Sequence, residues 1–181
     1  MLVAAWRAGD PGAVRQLIGL HGPAMTRVAL ALCPRSEDAE EVVQDALLRV
    51  HRSLGQFDPG RGSLRAWLVG VTANRARQVR RERRRYGGLL ARFGREPYVP
   101  GPPGEPAGDL DLARRRLAAL PPREREAFVL VEIEELTSVE AARVMRISDS
   151  TVRVLVARAR GRLHDEPALD AAPLRVERKE R

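Results

Sequence analysis

Residues 121–163 read PPREREAFVLVEIEELTSVEAARVMRISDSTVRVLVARARGRL, and this stretch decides the fold of the C-terminal part of the chain. Thr137 and Glu140 stand at the spacing of a capping box, which predicts a helix that ends near Met145. A short break follows, and Ser148 can cap a second helix. Two short helices joined by a tight turn, the second one basic, predict a helix-turn-helix whose second helix enters the major groove of duplex DNA.

The second of these helices carries side chains that suit a nucleic acid, namely Ser150, Thr151, Arg153, Arg158, Arg160 and Arg162. Val154 and Leu155 stand between them and leave two possibilities open. If they face DNA, they can make only apolar contacts, for example to the methyl group of thymine. If they face the domain core, Arg153 and Arg158 must recognise the bases.

The chain has 181 residues, a net charge of +8 and an isoelectric point near 11.1. A balance this basic favours an anionic partner, either a nucleic acid or a membrane surface. Lys179 is the sole lysine, so nearly all the positive charge is arginine. Arginine suits phosphates and guanine edges, but GC-rich coding would give the same bias, and we favour that explanation.

Cys33 is the one cysteine, so no disulfide can form within the chain, and we expect it to pack as a small apolar side chain. The three histidines lack metal-ligand spacing, and no nucleophile stands beside a base. We therefore expect no enzyme activity, no metal and no cofactor. Every apolar run is too short for a signal peptide or a membrane span, which predicts a cytoplasmic protein without membrane insertion.

Helical spacing of apolar residues runs through the N-terminal half. It predicts a helix from Asp10 to Leu20, a break at Gly22-Pro23, and a helix to Cys33. A long helix follows from Ser36, with acidic residues on its outer side, and then a loop over 55–62. Ser63 caps the next helix, which places Trp67 in the core and then becomes strongly basic over 75–85.

The predicted fold is all-α, with two small helical domains joined by a linker. The first domain spans residues 1–86, and the linker 87–108 is rich in proline and glycine. The second domain, 109–164, holds helices over 109–120 and 123–136 and then the helix-turn-helix. A charged tail, 165–181, follows. The charged runs at 37–45 and 75–85 could be solvated faces, but an acidic patch in a basic protein also suits a protein-binding surface.

Several short motifs occur in a fixed order: EDAEEVVQD at 37–45, FD at 57–58, LRAWL at 64–68, ANR at 73–75, AALPPREREAFVL at 118–130 and STVR at 150–153. With these motifs, the chain resembles the extracytoplasmic-function (ECF) sigma factors of the sigma-70 family. The resemblance covers residues 1–86 and 113–164. It implies sigma region 2 in the first domain and sigma region 4 in the second.

The resemblance also implies the partners of each surface. The helix 37–45 would dock on the β′ subunit of core RNA polymerase through Glu41, Gln44 and Asp45. The core polymerase partner comprises the β′ and β subunits, and the linker would pass near the catalytic centre and the RNA exit path. Promoter DNA and an anti-sigma factor would be the further partners, and the protein would act at the nucleoid.

For promoter DNA the resemblance assigns a −10 element to the first domain and a −35 element to helix 149–163. The −10 residues would be Phe57 and Arg61 in a loop that holds a flipped base, followed by Asn74, Arg77, Arg80 and Arg81. The −35 residues would be Ser150, Thr151, Arg153 and Arg158.

The chain departs from the family at Arg146, where glycine is usual in the turn, and at Val154 and Leu155, where polar residues are usual. Two alternatives therefore stay open. One is a helix-turn-helix regulator that is not a sigma factor. The other is a sigma-like protein that binds polymerase without selecting promoters. The acidic helix and the linker speak against the first, because such a regulator needs no polymerase-docking surface.

Overall fold

The computed structural model describes residues 2–8, 10–92 and 109–165, and these ranges contain helices and no strand. The helices are α1 (Leu2–Arg7), α2 (Pro11–Leu32), α3 (Ser36–Ser53), α4 (Leu64–Arg92), α5 (Asp109–Ala119), α6 (Pro122–Phe128), α7 (Ser138–Met145) and α8 (Asp149–Asp165). The all-α prediction with two helical domains is confirmed.

The first domain is a bundle in which α2, α3 and α4 contact one another. On α3 the buried apolar residues are Ala39, Val42, Ala46 and Val50, which recur at helical spacing and so form one face. Leu17 and Met25 of α2 and Leu68 of α4 fill the space between the helices and are fully buried. This burial makes α3 and α4 rigid supports for the charged side chains on their outer surfaces.

The predicted break at Gly22-Pro23 is wrong, because α2 runs through it without interruption. Pro23 has no N–H, so the carbonyl of Gly19 loses its helical donor. The helix continues because it is anchored on both sides of the proline, by Leu17 before it and by Met25 after it. Packing of these side chains outweighs the local cost of the proline.

The loop between α3 and α4 consists of two short 3₁₀ turns, Leu54–Gln56 and Pro59–Arg61. Gly62 has φ of 149°, a conformation that favours glycine, and it ends the second turn. Ser63 then caps α4 as predicted, since its hydroxyl accepts from the amide of Ala66 at 3.1 Å. α4 continues to Arg92, through the first residues that composition assigns to the linker, and 93–108 lie outside the described residues.

The second domain is built from α5, α6, α7 and α8. The predicted single helix over 123–136 is wrong in its second half, because α6 ends at Phe128 and Val129–Ile133 forms a π-helical turn. The amide of Glu134 donates to the carbonyl of Val129 at 3.0 Å, and Glu135 has φ of 56°. The wider turn leaves Glu134 fully buried at its end.

The helix-turn-helix is confirmed with its capping box. Thr137 accepts from the amide of Glu140 at 3.2 Å, and the Glu140 carboxylate accepts from the amide of Thr137 at 3.0 Å. Arg146 ends α7 in the left-handed region at φ of 56°, where a non-glycine residue is uncommon. Ser148 begins α8 by accepting from the amide of Thr151 at 3.2 Å.

The two domains pack against each other and share a core. Val28 and Val69 of the first domain belong to the same buried cluster as Leu130 and Met145 of the second. α7 lies against α4, where a Cβ placed on Gly70 would stand 3.0 Å from Cγ2 of Val144. In this closed arrangement one face of α4 is covered by the second domain. No helix in the described ranges has the length and apolar content needed to cross a bilayer.

Candidate nucleic-acid interface

The helix α8 presents a polar and basic surface on the side away from its domain. Val152, Val156 and Ala159 point into the core and are almost fully buried, whereas Ser150 and Thr151 are exposed. Val154 and Leu155 differ from each other: Val154 is 49% exposed, and Leu155 packs against the core. The sequence left open whether both residues face DNA or both face the core. In the structure Val154 faces outward and Leu155 faces inward.

The arginines of α8 also differ in whether a carboxylate already neutralises them. Arg153 pairs with Asp149 at 2.8 Å, Arg160 with Glu132 at 2.7 Å and Arg162 with Glu124 at 2.9 Å. Arg158 is exposed and forms no ion pair with any residue that the structure describes. Its guanidinium is therefore free to bind an external anion or a base edge.

On α3, the acidic run does not lie wholly on the outer side as predicted. Asp38 is 1% exposed and pairs with Arg35 at 3.2 Å and with Arg83 of α4. The prediction is wrong for this residue because a buried carboxylate flanked by two guanidinium groups is compensated where it stands. Gln44 is exposed.

Glu41 and Asp45, two of the predicted docking residues, are held by one arginine of α4. Arg75 donates to Asp45 at 2.7 Å and to Glu41 at 3.2 Å, and its side chain is 9% exposed. Burial alone would lower the pKa of Arg75, but its hydrogen bond to Asp45 and the charge of Glu82 raise it above its usual range. Asp45 thus fixes α3 to α4, while Glu41 keeps a largely exposed carboxylate.

The density of arginine in 75–85 has an explanation within the protein that the sequence does not predict. Arg75, Arg77 and Arg83 all pair with carboxylates of the protein, so external phosphate is not needed to relieve their repulsion. Arg80 is half-buried and Arg81 is exposed, and neither forms an ion pair within the described ranges. These two predicted residues remain available for an anionic partner.

A cleft of about 460 Å³ lies at the loop between α3 and α4, where the sequence predicts a pocket for a flipped base. Phe57, Trp67 and Asn74 line it from the first domain, and Arg143 and Val144 close it from α7. Phe57 is buried and packs on Trp67 with ring centroids 5.6 Å apart, so Trp67 supports the wall of the cleft as well as the core.

Residues of the loop are tied to α7 by polar contacts. Arg143 donates to the carbonyl of Arg61 at 2.7 Å, and the hydroxyl of Ser63 donates to Glu140 at 3.1 Å. Burial opposes ionisation of Glu140, but hydrogen bonds from Thr137 and Ser63 outweigh it and lower the pKa of this carboxyl. The side chain that caps α7 therefore also ties α7 to the first domain.

Arg77 and Asn74, both predicted to contact the −10 element, face the second domain here. Arg77 donates to Glu126 at 2.5 Å and to the carbonyl of Val144 at 3.0 Å, and it also donates to Asn74. Burial of Glu126 outweighs the nearby arginines and raises the pKa of this carboxyl. Burial likewise lowers the pKa of Arg77.

Glu134 forms a second ionic contact between the domains. Its carboxylate accepts from Arg27 of α2 at 2.9 Å and from Arg65 of α4 at 2.6 Å. Neither this contact nor the one at Glu126 was predicted from the sequence. The spacing of the residues does contain a signal for these contacts. Glu126, Leu130 and Glu134 recur every four residues, so both glutamates lie on the helix face that carries the apolar core.

The described part of the chain contains neither a cluster of metal-binding side chains nor a reactive cysteine. Within it, no group of three or more His, Cys, Asp or Glu side chains could hold a metal ion. Cys33 is buried, and burial together with the charge of Asp38 raises the pKa of its thiol to about 11. A thiol with so high a pKa is a poor nucleophile at neutral pH, which fits the expected packing role.

Two family models match this chain in the order that the motifs predict. Sigma-70 region 2 matches residues 17–86, and Sigma-70 region 4 matches residues 110–163. The first match covers the bundle with the acidic helix, the cleft and the arginine run. The second covers the helix-turn-helix. A regulator with a helix-turn-helix alone would lack the first match.

Relatives and solved structures agree with these matches. The RNA polymerase sigma factor CnrH of Cupriavidus metallidurans is 33% identical over 174 residues, 90% of this chain and 91% of CnrH. The ECF RNA polymerase sigma factor SigM of Mycobacterium tuberculosis is 30% identical over 169 residues, 90% of this chain and 81% of SigM.

Two of the solved structures are sigma factors in complexes. CnrH bound to the cytosolic domain of CnrY superposes with a TM-score of 0.66 at 30% identity, over 90% of this chain and 92% of CnrH. The sigma factor RpoE of Bartonella quintana, in complex with the anti-sigma factor NepR, superposes with a TM-score of 0.70 at 27% identity. The superposition covers 83% of this chain and 93% of RpoE. The chain belongs to the ECF sigma factors of the sigma-70 family, and it is an RNA polymerase sigma factor that binds core polymerase and directs promoter-specific initiation of transcription.

Proposed function

We propose that this sigma factor divides promoter recognition between its two domains, with 1–86 as the polymerase-docking and −10 unit and 109–164 as the −35 unit. The observation that carries the proposal is the surface of α8. Arg158 and Thr151 project from it into solvent, while Val152 and Val156 complete the core behind them. A helix held by its own domain on one side can enter the major groove with the other.

Docking on the polymerase core falls to the outer face of α3. Glu41, Gln44 and Leu48 stand three and four residues apart and so lie on one face of the helix. Leu48 is 55% exposed, an unusual position for a large apolar side chain, and it lies next to a hydrogen-bonding amide and a carboxylate. This mixture suits the β′ coiled coil that the family contacts. Asp45 acts indirectly by holding Arg75.

Recognition of the −10 element falls to the cleft and the start of the basic segment of α4. Asn74 can hydrogen-bond a base edge, Arg80 and Arg81 can contact phosphates, and the cleft beside Phe57 can take a flipped base. Arg61 lines the same cleft. In the closed arrangement, however, Arg77 is bound to Glu126, and α7 forms one wall of the cleft.

Promoter binding therefore requires the two domains to separate. The carboxylates of Glu126 and Glu134 form ion pairs with arginines of the first domain. A DNA phosphate can replace a carboxylate in such a pair. Separation frees Arg77 for DNA and opens the cleft on the side of α7. The linker 87–108 keeps the domains on one chain while they move apart, and it passes along the core polymerase between the two promoter elements.

The −35 element is contacted by Ser150, Thr151, Arg153 and Arg158 on the exposed side of α8. Arg153 pairs with Asp149 within the helix, so it must exchange that partner for DNA, whereas Arg158 has no ion-pair partner among the described residues to give up. Because CnrH and RpoE are each seen with a bound partner, we include an anti-sigma factor among the partners of this chain. Its place of action is the nucleoid in the cytoplasm.

Run-off transcription with purified core polymerase on a library of genomic promoters tests the proposed function. We expect transcripts from a small set of promoters that share a −10 and a −35 sequence at fixed spacing. Transcription without a shared −35 sequence would leave the protein as a polymerase-binding factor that does not select promoters through α8. No transcription despite binding to the core would refute the proposal as a whole.

A further inference from the structure

We propose that Val154 recognises a thymine in the −35 element through the 5-methyl group of that base. The inference rests on the proposed reading of this element by α8 and names the base that one residue of α8 selects. It assigns a specificity role to a side chain that has no hydrogen-bonding group.

Val154 points directly away from the domain. Each residue turns an α-helix by about 100°, so Val154, two residues from both Val152 and Val156, lies about 200° around the helix from each. Val152 is 0% and Val156 6% exposed, while Val154 is 49% exposed. The side of α8 that must face a ligand outside the domain is therefore the side on which Val154 stands.

On one flank of Val154 the outward side of α8 carries short side chains, while Thr151 and Arg158 stand on the other flank. Ser150, Ala157 and Gly161 are exposed, and none has a long side chain. The backbone of α8 can therefore come close to the floor of the groove, and the two methyl groups of Val154 would be the first apolar atoms to arrive there. Leu155 cannot take this role, because it packs against the core.

Thymine is the one base with a methyl group in the major groove. Cytosine has a hydrogen at the same ring position, so Val154 would find no methyl group to contact there. Arg158, one turn further on, is free of ion pairs within the described part of the chain and can bind a guanine or a phosphate beside the thymine. Val154 and Arg158 would thus recognise neighbouring positions by different chemistry.

The experiment compares holoenzymes with wild-type chain and with Val154→Ser, each selecting from a library randomised over the −35 element. We expect thymine at one position in the wild-type selection and no preference there with Val154→Ser. Val139→Ser is the matched control, because Val139 is 46% exposed on α7, the other helix of the motif. The control should keep the thymine preference.

A second measurement removes the methyl group from the DNA instead of the protein. Deoxyuridine in place of that thymine should weaken wild-type binding about fourfold, which corresponds to about 0.8 kcal/mol for one buried methyl group. It should leave Val154→Ser unchanged, because the variant has no contact to lose. Equal losses in both proteins would overturn the inference.

The two proposals fail in different ways. If wild-type holoenzyme selects no −35 sequence, the proposed function of α8 fails, and the role of Val154 fails with it. If wild-type holoenzyme selects a −35 sequence that Val154→Ser selects equally well, only the inference about Val154 is wrong. Since Val154 is outside the core, both variants should fold, and equal melting temperatures would confirm this.

Discussion

Arg65 of α4 donates to the buried carboxylate of Glu134 at 2.6 Å, and this contact joins the two domains. Arg27 of α2 donates to the same carboxylate, so two helices of the first domain are held by one residue of the second. Glu134 is 0% exposed, whereas both arginines are partly exposed. The carboxylate is thus the member of the cluster that cannot find a substitute partner in water.

Replacing Glu134 by glutamine should weaken the closed arrangement. The amide keeps the shape but not the charge, so hydrogen bonds to two guanidinium groups lose about 1–3 kcal/mol. We expect a larger radius of gyration in small-angle X-ray scattering. Glu132→Gln is the control, because Glu132 pairs with Arg160 inside the second domain and should leave the radius unchanged.

Replacing Arg77 alone should lower the free energy of unfolding more than replacing both Arg77 and Glu126. Arg77→Ala leaves the buried carboxylate of Glu126 without its ion-pair partner, and we expect it to lower the free energy of unfolding by about 3–5 kcal/mol. Adding Glu126→Gln should restore much of the loss. Urea denaturation measures both, and a double variant less stable than Arg77→Ala would contradict this explanation.

The buried pair of Arg77 and Glu126 also predicts how the stability of the protein changes with pH. Burial raises the pKa of Glu126 in the folded chain, so folding favours its protonated form. Its contribution to stability is present below the ordinary glutamate pKa and is lost as pH rises through the raised one. Arg77→Ala should therefore be closer to wild type at pH 5 than at pH 8. An unfolding free-energy difference that does not change between these values would argue against a buried charge.

Docking on core polymerase should depend on Gln44 and Leu48 and not on Asp45 directly. Gln44→Ala with Leu48→Ser should reduce co-purification with core while leaving the melting temperature unchanged, because both side chains are exposed. Asp45→Lys should instead lower the melting temperature, since it places a cation beside Arg75. If the Gln44 and Leu48 double variant binds core as well as wild type, the docking face lies elsewhere.

Cys33 should be unreactive in the native protein. The pKa of its thiol is about 11, so the thiolate is scarce at pH 8, and the side chain is buried as well. We expect negligible reaction with a thiol-specific disulfide reagent at pH 8 and complete reaction after unfolding in urea. Rapid labelling of the native protein would show that the packing around Cys33 opens readily.

The sequence predicts the helices and caps well where local chemistry determines them. The capping box at Thr137 and Glu140, the serine caps at Ser63 and Ser148, and the amphipathic spacing of α3 all involve residues within four positions of one another. Continuity of α2 through Pro23 depends instead on burial of Leu17 and Met25, which is a property of the assembled bundle. Periodicity cannot show that.

The candidate site is less predictable because its charges are paired over long distances in the chain. Arg77 and Glu126 are separated by 49 residues, and Arg65 and Glu134 by 69. The sequence can predict that the arginines in 75–85 face DNA or solvent. It cannot identify a particular carboxylate in the other domain as their ion-pair partner. The exposure of Val154 also needs the structure, because its neighbour Leu155, about 100° around the helix, packs against the core.

A disulfide between the domains tests the central claim, that the closed arrangement must open before promoter DNA can bind. A Cβ on Gly70 would lie 3.9 Å from Cβ of Val144, which is within the range of native disulfides. Gly70→Cys with Val144→Cys should form the cross-link on oxidation, and each single variant serves as a control for the substitutions.

The measurement is run-off transcription by core polymerase with the double variant, oxidised and then reduced. We expect no promoter-specific transcript while the domains are cross-linked, and recovery when a reducing agent breaks the disulfide. The single variants should be active under both conditions. Full activity of the cross-linked protein, with cross-linking verified on a non-reducing gel, would contradict the claim that the domains separate.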